Sequence, residues 1–373
     1  MNFEEQSRAF MRRALEVSKR AWGQTHPNPM VGAVIVEQGE LVAEGWHRKA
    51  GQPHAEVEAL RALGRKPKED ATMYVTLEPC STSGRTGPCT NAILESGVRN
   101  LVVGAIDPNP HHAGRGLNQL RAEGVRVTEG VLAADCSDLN LIFNHWIVQK
   151  QPMIAMKVAL TLDGKFAAAS GNSKWVTGES ARADVMRWRR YFPAIAVGAN
   201  TVLIDNPSLT SRIGDTVWCP QRFVLDRTLK TVDSSSLPKL YSDVYRERTT
   251  VLCGSKASGG ARSRLEGQGV SIWELPEVDG QLDLEAFRER CAKENIYGVY
   301  FETGPGMASN LLRQKFADYA FVYKAPKFIN DSETPAIGFS QLTQSMNDAL
   351  QLKQVRHVVL DRDILMRGSL DYS

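Results

Sequence analysis

The chain has 373 residues, room for two domains of ordinary size, and its 42% hydrophobic and 23% charged content is that of a globular protein. Its 45 basic and 42 acidic residues leave a net charge of +3, too even a balance for a nucleic-acid polyelectrolyte partner. Charges run through the N-terminal "MNFEEQSRAFMRRALEVSKR", and no apolar run could span a membrane, so the expectation is a cytoplasmic protein with no signal peptide and no membrane partner.

Residues 7–21 place Phe10, Met11, Ala14, Leu15 and Val17 at helical spacing. "VGAVIV" (31–36) and "LVAEGW" (41–46) read as a hairpin turning at 39–40. A helix follows at 54–63, a strand at 72–77, a helix at 89–97 and a strand at 100–106. The unit repeats as a helix at 116–124 and a strand at 125–130, and a helical segment spans roughly 135–149. This alternation predicts an α/β layer with a mainly parallel sheet. "QKQP" (149–152) reads as a linker, giving domains 1–149 and 150–373. The second domain opens with a strand at 153–164 and continues with strands at 194–199, 222–226, 249–253, 298–304 and 319–326, and a helix near 307–316. Arg182, Arg187, Arg189 and Arg190 share a further predicted helix, and the Ser-rich, polar 228–248 reads as loop.

"LEPCSTSGRTGPC" (77–89) holds Cys80 and Cys89, two of six cysteines. A disulfide, a redox pair and a metal site are all open to such a pair, and a reducing compartment disfavours the first. Catalytic zinc takes three protein ligands, often two thiolates and an imidazole. His54 in "PHAEVEAL" supplies the imidazole, and Glu56 follows two residues later. His-x-Glu, then Pro-Cys, then Cys is the pattern of zinc deaminases, in which a glutamate that is not a ligand carries the protons. The eight residues between the cysteines exceed the two of the usual signature. Cys136, Cys219, Cys253 and Cys291 have no such context and read as structural.

With "PNPMVGAVIV", "GWHRKAGQPHAEVEAL", "YVTLEPCSTSGRTGPCTNAI" and "DPNP", the first half closely resembles the deaminase half of the bifunctional riboflavin-biosynthesis deaminase/reductase family. The second half resembles that family's reductase through "KVALTLDGKFAAASGNSKWVTGESARADVMRWRR", "VGANTVLIDNPSLTSR" and "FETGPG". The resemblance accounts for the long spacing between the cysteines. It implies a cytidine-deaminase-like fold followed by a dihydrofolate-reductase-like fold, zinc and NADPH as cofactors, a small phosphorylated pyrimidine as substrate, and self-association. It implies deamination of a diaminopyrimidinone ribosylamine phosphate, then reduction of the ribosyl group to ribityl.

Carried over, the family's zinc ligands fall on His54, Cys80 and Cys89, and its proton carrier on Glu56. Its deaminase substrate positions fall on Asn28, His47, Arg85, Thr86, Asp107 and Asn109. In the second half Ala159, Trp175, Thr201 and Asp205, with Gly304, Pro305, Gly306, Met307, Ala308, Ser309 and Asn310, match cofactor positions. Ser173, Arg189, Leu209, Arg212 and Glu302 match substrate positions. Arg189 and Arg212 are the phosphate-clamp candidates, since guanidinium suits phosphate geometry. Lys157 and Asp163 lie where the reductive step would take place. Plainer readings stand beside these: turn chemistry for Asn28, Asp107, Asn109 and Asp163, packing for Trp175, and a turn for "GPG". "STSG" at 81–84 stands where the family often has "SHxG", and Arg227 where it often has serine, a residue to contact the cofactor's 2′-phosphate or simply to be solvated. Competing functions are a working deaminase joined to an inert second half, a nucleic-acid base deaminase, and a structural zinc protein.

Overall fold

The computed structural model describes residues 2–82, 87–110, 112–169, 175–233, 236–334, 336–338 and 345–373. Two compact units divide the chain, Met1–Lys150 and Gln151–Ser373, and the division falls inside "QKQP".

The first unit runs α1 (Phe3–Ser18), β1 (Gly32–Glu37), β2 (Glu40–Trp46), α2 (Ala55–Leu63), β3 (Thr72–Leu77), α3 (Cys89–Ser96), β4 (Asn100–Ala105), α4 (Arg115–Ala122), β5 (Arg126–Glu129), α5 (Ala133–Asp138) and α6 (Leu141–Gln149). Its five strands lie in the order β2-β1-β3-β4-β5. β1 is antiparallel to β2 and β3, and β3, β4 and β5 are mutually parallel. β2 and β3 therefore share a direction, and the mainly parallel sheet expected has one reversed strand, placed there by the tight hairpin. Alternate residues serve opposite faces. Ala33, Ile35, Met73, Val75, Leu101 and Val103 pack in one core with Ala55, Ala59, Ile93, Leu117 and Leu120 from α2, α3 and α4. On the other face Phe10 of α1 lies against Tyr74, with ring centroids 5.3 Å apart. Gly45 lets α2 approach β2 closely, since a Cβ there would lie 2.2 Å from Ala59 N. That contact sets the height of α2, and with it of His54 at its N-terminus. The helix read over 135–149 is two helices. Asn140 leaves the helical path to hydrogen-bond the backbone of Met30 at both N (2.8 Å) and O (2.9 Å).

The second unit runs β6 (Met153–Thr161), α7 (Glu179–Tyr191), β7 (Ala194–Gly198), α8 (Ala199–Asp205), β8 (Ser211–Ile213), β9 (Thr216–Trp218), β10 (Gln221–Leu225), α9 (Lys239–Ser242), β11 (Thr249–Cys253), α10 (Gly259–Glu266), β12 (Ser271–Glu274), β13 (Glu277–Val278), β14 (Gln281–Leu282), α11 (Leu284–Lys293), β15 (Gly298–Glu302), α12 (Pro305–Arg313), β16 (Tyr319–Ala325), β17 (Gln351–Leu360) and β18 (Asp363–Asp371). Nine strands form one sheet, β12-β11-β10-β7-β15-β6-β16-β18-β17. The first seven are parallel, and β18 alone opposes its neighbours. Central strands of such a sheet are covered on both faces, which is why "MIAM" and "AIAVG" are apolar without alternation. Phe287 of α11 with Ala308 and Leu311 of α12 packs on one face, and Trp188 of α7 packs against Phe321 on the other.

Two differences from the sequence reading have physical causes. Residues 228–248, read as loop, contain short helical turns at Lys230–Val232, Lys239–Ser242 and Arg246–Arg248, with Leu229, Leu240 and Tyr241 buried. The wholly buried Arg222 holds them. Its guanidinium forks onto Asp243 at 2.7 and 2.9 Å and donates to Leu240 O, Ser208 O and Thr249 Oγ1. The strands read from the sequence end at 326, and the structure adds the β17–β18 hairpin, which covers β16. No helix among the described residues is long and apolar enough to cross a membrane.

Candidate active sites

In the first unit, α2 and α3 begin at the same place. His54 is the residue that caps α2, and Cys89 opens α3. Cys80 follows β3, and its Sγ accepts the Cys89 backbone N–H at 3.4 Å. His54 Nδ1 lies 3.1 Å from Cys89 Sγ and 3.5 Å from Cys80 Sγ, and the three potential ligand atoms fall within 4.8 Å of one another. A tetrahedral zinc with bonds of about 2.0–2.3 Å needs donors roughly 3.5 Å apart, so the set fits. The Cys89 thiol, donating to Cys80, and His54 beside it push the Cys80 thiol down to about 4, and Cys89 is pushed up in turn. A divalent cation between the sulfurs lets both ionise.

Glu56 is 3% exposed, and burial raises its pKa above the ordinary carboxylate value. It sits within interaction range of His54, Cys80 and Cys89. His47 is buried with its ring at right angles to that of His54, centroids 5.2 Å apart. His47 Nδ1 contacts Pro53 O at 3.1 Å and Nε2 contacts the Asn28 amide nitrogen at 3.1 Å. An amide nitrogen can only donate, so Nε2 is the acceptor and Nδ1 carries the proton. Burial lowers the His47 pKa and keeps this tautomer neutral. Asp107 Oδ1 accepts Asn109 N at 2.9 Å, the turn chemistry expected of "DPNP". Arg85, Thr86 and Ser173 lie outside the described residues.

In the second unit the candidates gather where β6, β7, β10 and β15 end, the edge at which open parallel sheets bind ligands. Glu302 ends β15 in register with Lys157 of β6. Arg189 reaches across from α7 and forks onto Glu302 at 2.6 and 2.9 Å, with its third nitrogen on Thr210 O at 2.9 Å. The guanidinium held in reserve for phosphate thus already has a carboxylate partner. Leu209 is buried beside this contact with φ 54°, Arg212 is exposed on β8, and Thr201 and Asp205 lie on α8. Ala159 is half-buried on β6. Trp175 is 64% exposed, with the Arg182 guanidinium 4.5 Å above its ring, so it is not a packing tryptophan. Gly304 caps α12 and Pro305 opens it. Gly306, Met307, Ser309 and Asn310 line a cleft with Gln281 and Arg313, whereas the Ala308 side chain points into the core. Asp163 caps a loop: its carboxylate takes the Thr161 hydroxyl at 2.5 Å and the backbone N–H groups of Ile329 and Asn330, which hold its pKa down to about 2.

Comparison with known proteins accounts for both sites. Residues 4–105 match the family described as "Cytidine and deoxycytidylate deaminase zinc-binding region", and residues 152–366 match "RibD C-terminal domain". The riboflavin biosynthesis protein RibD of Actinobacillus pleuropneumoniae is 39% identical over 360 residues, 96% of this chain and 93% of its own. That of Escherichia coli (strain K12) is 37% identical over 95% of this chain and 97% of its own.

The chain belongs to the RibD family.

RibD proteins are bifunctional deaminases and reductases of riboflavin biosynthesis, with a zinc-binding deaminase domain and an NADPH-dependent reductase domain. Solved RibD structures share the architecture. Acinetobacter baumannii RibD, form 1, superposes with a TM-score of 0.77 at 35% identity, covering 99% of each chain. The deaminase/reductase of Thermotoga maritima does so with a TM-score of 0.77 at 32% identity, also covering 99% of each. A base deaminase or a structural zinc protein would leave the RibD reductase domain unexplained. Two cleft residues were not among the sequence candidates. Arg313 follows Asn310 at helical spacing and was legible on the α12 face; Gln281 sits on the β13–β14 hairpin, which no sequence signal links to the cleft. Arg227 pairs with Glu277 at 3.1 Å on an exposed surface.

Proposed function

We propose that the first unit hydrolytically deaminates 2,5-diamino-6-ribosylamino-4(3H)-pyrimidinone 5′-phosphate and the second reduces the ribosyl group of the product to ribityl. The observation that carries the first step is the Cys80–Cys89–His54 cluster with a buried carboxyl, Glu56, beside it. His54, Cys80 and Cys89 would hold zinc, which when bound acts as a Lewis acid and lowers the pKa of water. Glu56 takes the proton of the attacking water and delivers it to the departing ammonia, and burial keeps its pKa high enough to hold that proton in between. Asn28 and His47 present a fixed, neutral edge to the pyrimidine, and Asp107, Asn109, Arg85 and Thr86 complete the pocket.

In the second unit Thr201, Asp205, Ala159, Trp175 and the α12 N-terminus would hold NADPH. The first turn of α12 leaves backbone N–H groups free for phosphate. NADPH supplies the hydride when bound. Ser173, Leu209, Arg212 and the Arg189–Glu302 pair would hold the substrate, with the exposed Arg212 the guanidinium offered to its phosphate. Lys157, in register with Glu302 at this edge, is the group placed to supply the proton, with burial lowering its pKa, whereas Asp163 is held ionised by its cap. The reading places the enzyme in the cytoplasm, where its six free thiols remain reduced, and includes self-association, which light scattering tests. Offering the diaminopyrimidinone with and without NADPH and weighing the products tests the sequence of steps. The deaminated ribosyl compound is expected without NADPH and the ribityl compound with it. Recovery of unchanged substrate in both arms would sink the reading.

A further inference from the structure

Glu78, in the same "LEPC" stretch as Cys80, is 6% exposed. A buried carboxylate needs hydrogen-bond donors, and among the described residues those of Glu78 come from one stretch, the connection between β4 and α4 with the first turn of α4. Its Oε2 accepts Asp107 N at 3.2 Å and Gly114 N at 2.9 Å, and its Oε1 accepts Gly116 N at 3.0 Å. The cap of α4 is Gly114, which has no side chain to satisfy the donors left over at a helix start. Glu78 supplies that acceptor from outside the helix, with its charge at the helix's positive end. The approach is close, since a Cβ on Gly116 would lie 2.3 Å from Pro79 O. One short segment, Glu78-Pro79-Cys80, thus presents a zinc ligand and grips the loop that carries Asp107 and Asn109. Asp107 lies near enough to Cys80 for their charges to interact. The loop also bears His112, whose buried Nδ1 has no hydrogen-bond partner among the described residues.

We infer that Glu78 is a positioning residue of the deaminase site, fixing the substrate loop around Asp107 and Asn109 against the zinc ligand Cys80. The inference rests on the reading above that Asp107 and Asn109 meet the pyrimidine. Glu78 touches neither substrate nor metal; it acts through the loop. Glutamine at 78 keeps one acceptor oxygen and turns an amide donor toward backbone donors, so at least one N–H loses its partner.

The test is a cycle of E78Q, N109A and the double variant in the full chain. It reads deaminase KM and kcat, bound zinc, and reductase KM on the deaminated substrate. E78Q is expected to raise deaminase KM about tenfold, with zinc content and reductase KM unchanged. In the double variant KM should exceed that of N109A by less than about twofold, because a released loop has nothing more to lose. Wild-type KM in E78Q, loss of zinc with kcat, or multiplication of the two single effects would each overturn the proposal. A wild-type KM in N109A beside a defective E78Q would instead overturn the substrate-loop reading on which it stands.

Discussion

Glu56 and Glu78 are both buried acids of the deaminase unit, and their surroundings assign them opposite work. Glu78 accepts three backbone N–H groups and is part of the scaffold. Glu56 sits among the proposed metal ligands, and burial raises its pKa, which suits the proton exchange proposed for it. E56Q is therefore expected to retain zinc while deamination kcat falls by about 10²–10⁴-fold, the usual worth of a positioned general acid–base. Metal analysis beside a rate measurement decides it, and a variant without zinc would mean that Glu56 is a ligand. Glu56 was legible in His-x-Glu, because a motif of chemistry names its own residues. The role of Glu78 was not, since its partners lie 29 to 38 residues onward and meet it only in the fold. The pairing of Arg189 with Glu302 was hidden for the same reason: each was singled out separately as a candidate, and their mutual contact crosses from α7 to β15.

At the scale of elements, buried ion pairs decide what periodicity leaves open. Residues 228–248 lack a periodic pattern, and Arg222 organises them from β10. R222M should deprive Asp243 and the Ser208 carbonyl of the guanidinium and cost about 3–5 kcal/mol in urea unfolding of the second unit. A loss under about 1 kcal/mol would show that the turns hold themselves. Glu37 plays a similar part in the first unit. It ends β1, is buried, and takes Arg65 at 2.6 and 3.0 Å and Lys68 N at 2.9 Å. The Arg65 hydrogen bonds hold its carboxyl down to about 2, against an ordinary 4.5. The folded-state pKa is the lower one, so the stabilisation is complete above about pH 4.5 and is lost as pH falls toward 2. E37Q should therefore narrow the stability difference between pH 6 and pH 3, read by denaturant midpoints. An unchanged pH dependence would count against the pair.

At the scale of the whole molecule, each chemistry is housed in one unit. All three proposed zinc donors belong to Met1–Lys150, and the α12 cleft and the Lys157–Glu302 edge belong to Gln151–Ser373. Zinc removal by a chelator is expected to abolish deamination, reversibly on adding zinc, while reduction of the deaminated substrate stays within about twofold. Parallel loss of both activities would argue that zinc supports the whole chain.

By itself the sequence determined the two-unit α/β plan and the strands of both parallel cores, and it named His54, Cys80 and Cys89, which the fold brings together, with Glu56 beside them. These are written in local patterns: apolar runs of strand length, turn residues, and ligand types that few other chemistries require. Only the tertiary structure decided the order of the nine-stranded sheet, the splitting of 135–149 at Asn140, and the partners of Glu78, Arg189 and Arg222. The break at Asn140 and these pairings each depend on a buried polar group finding its hydrogen bonds far along the chain. No local spacing encodes that pairing, because the cost of leaving such a group unpaired is settled only once the chain has closed around it.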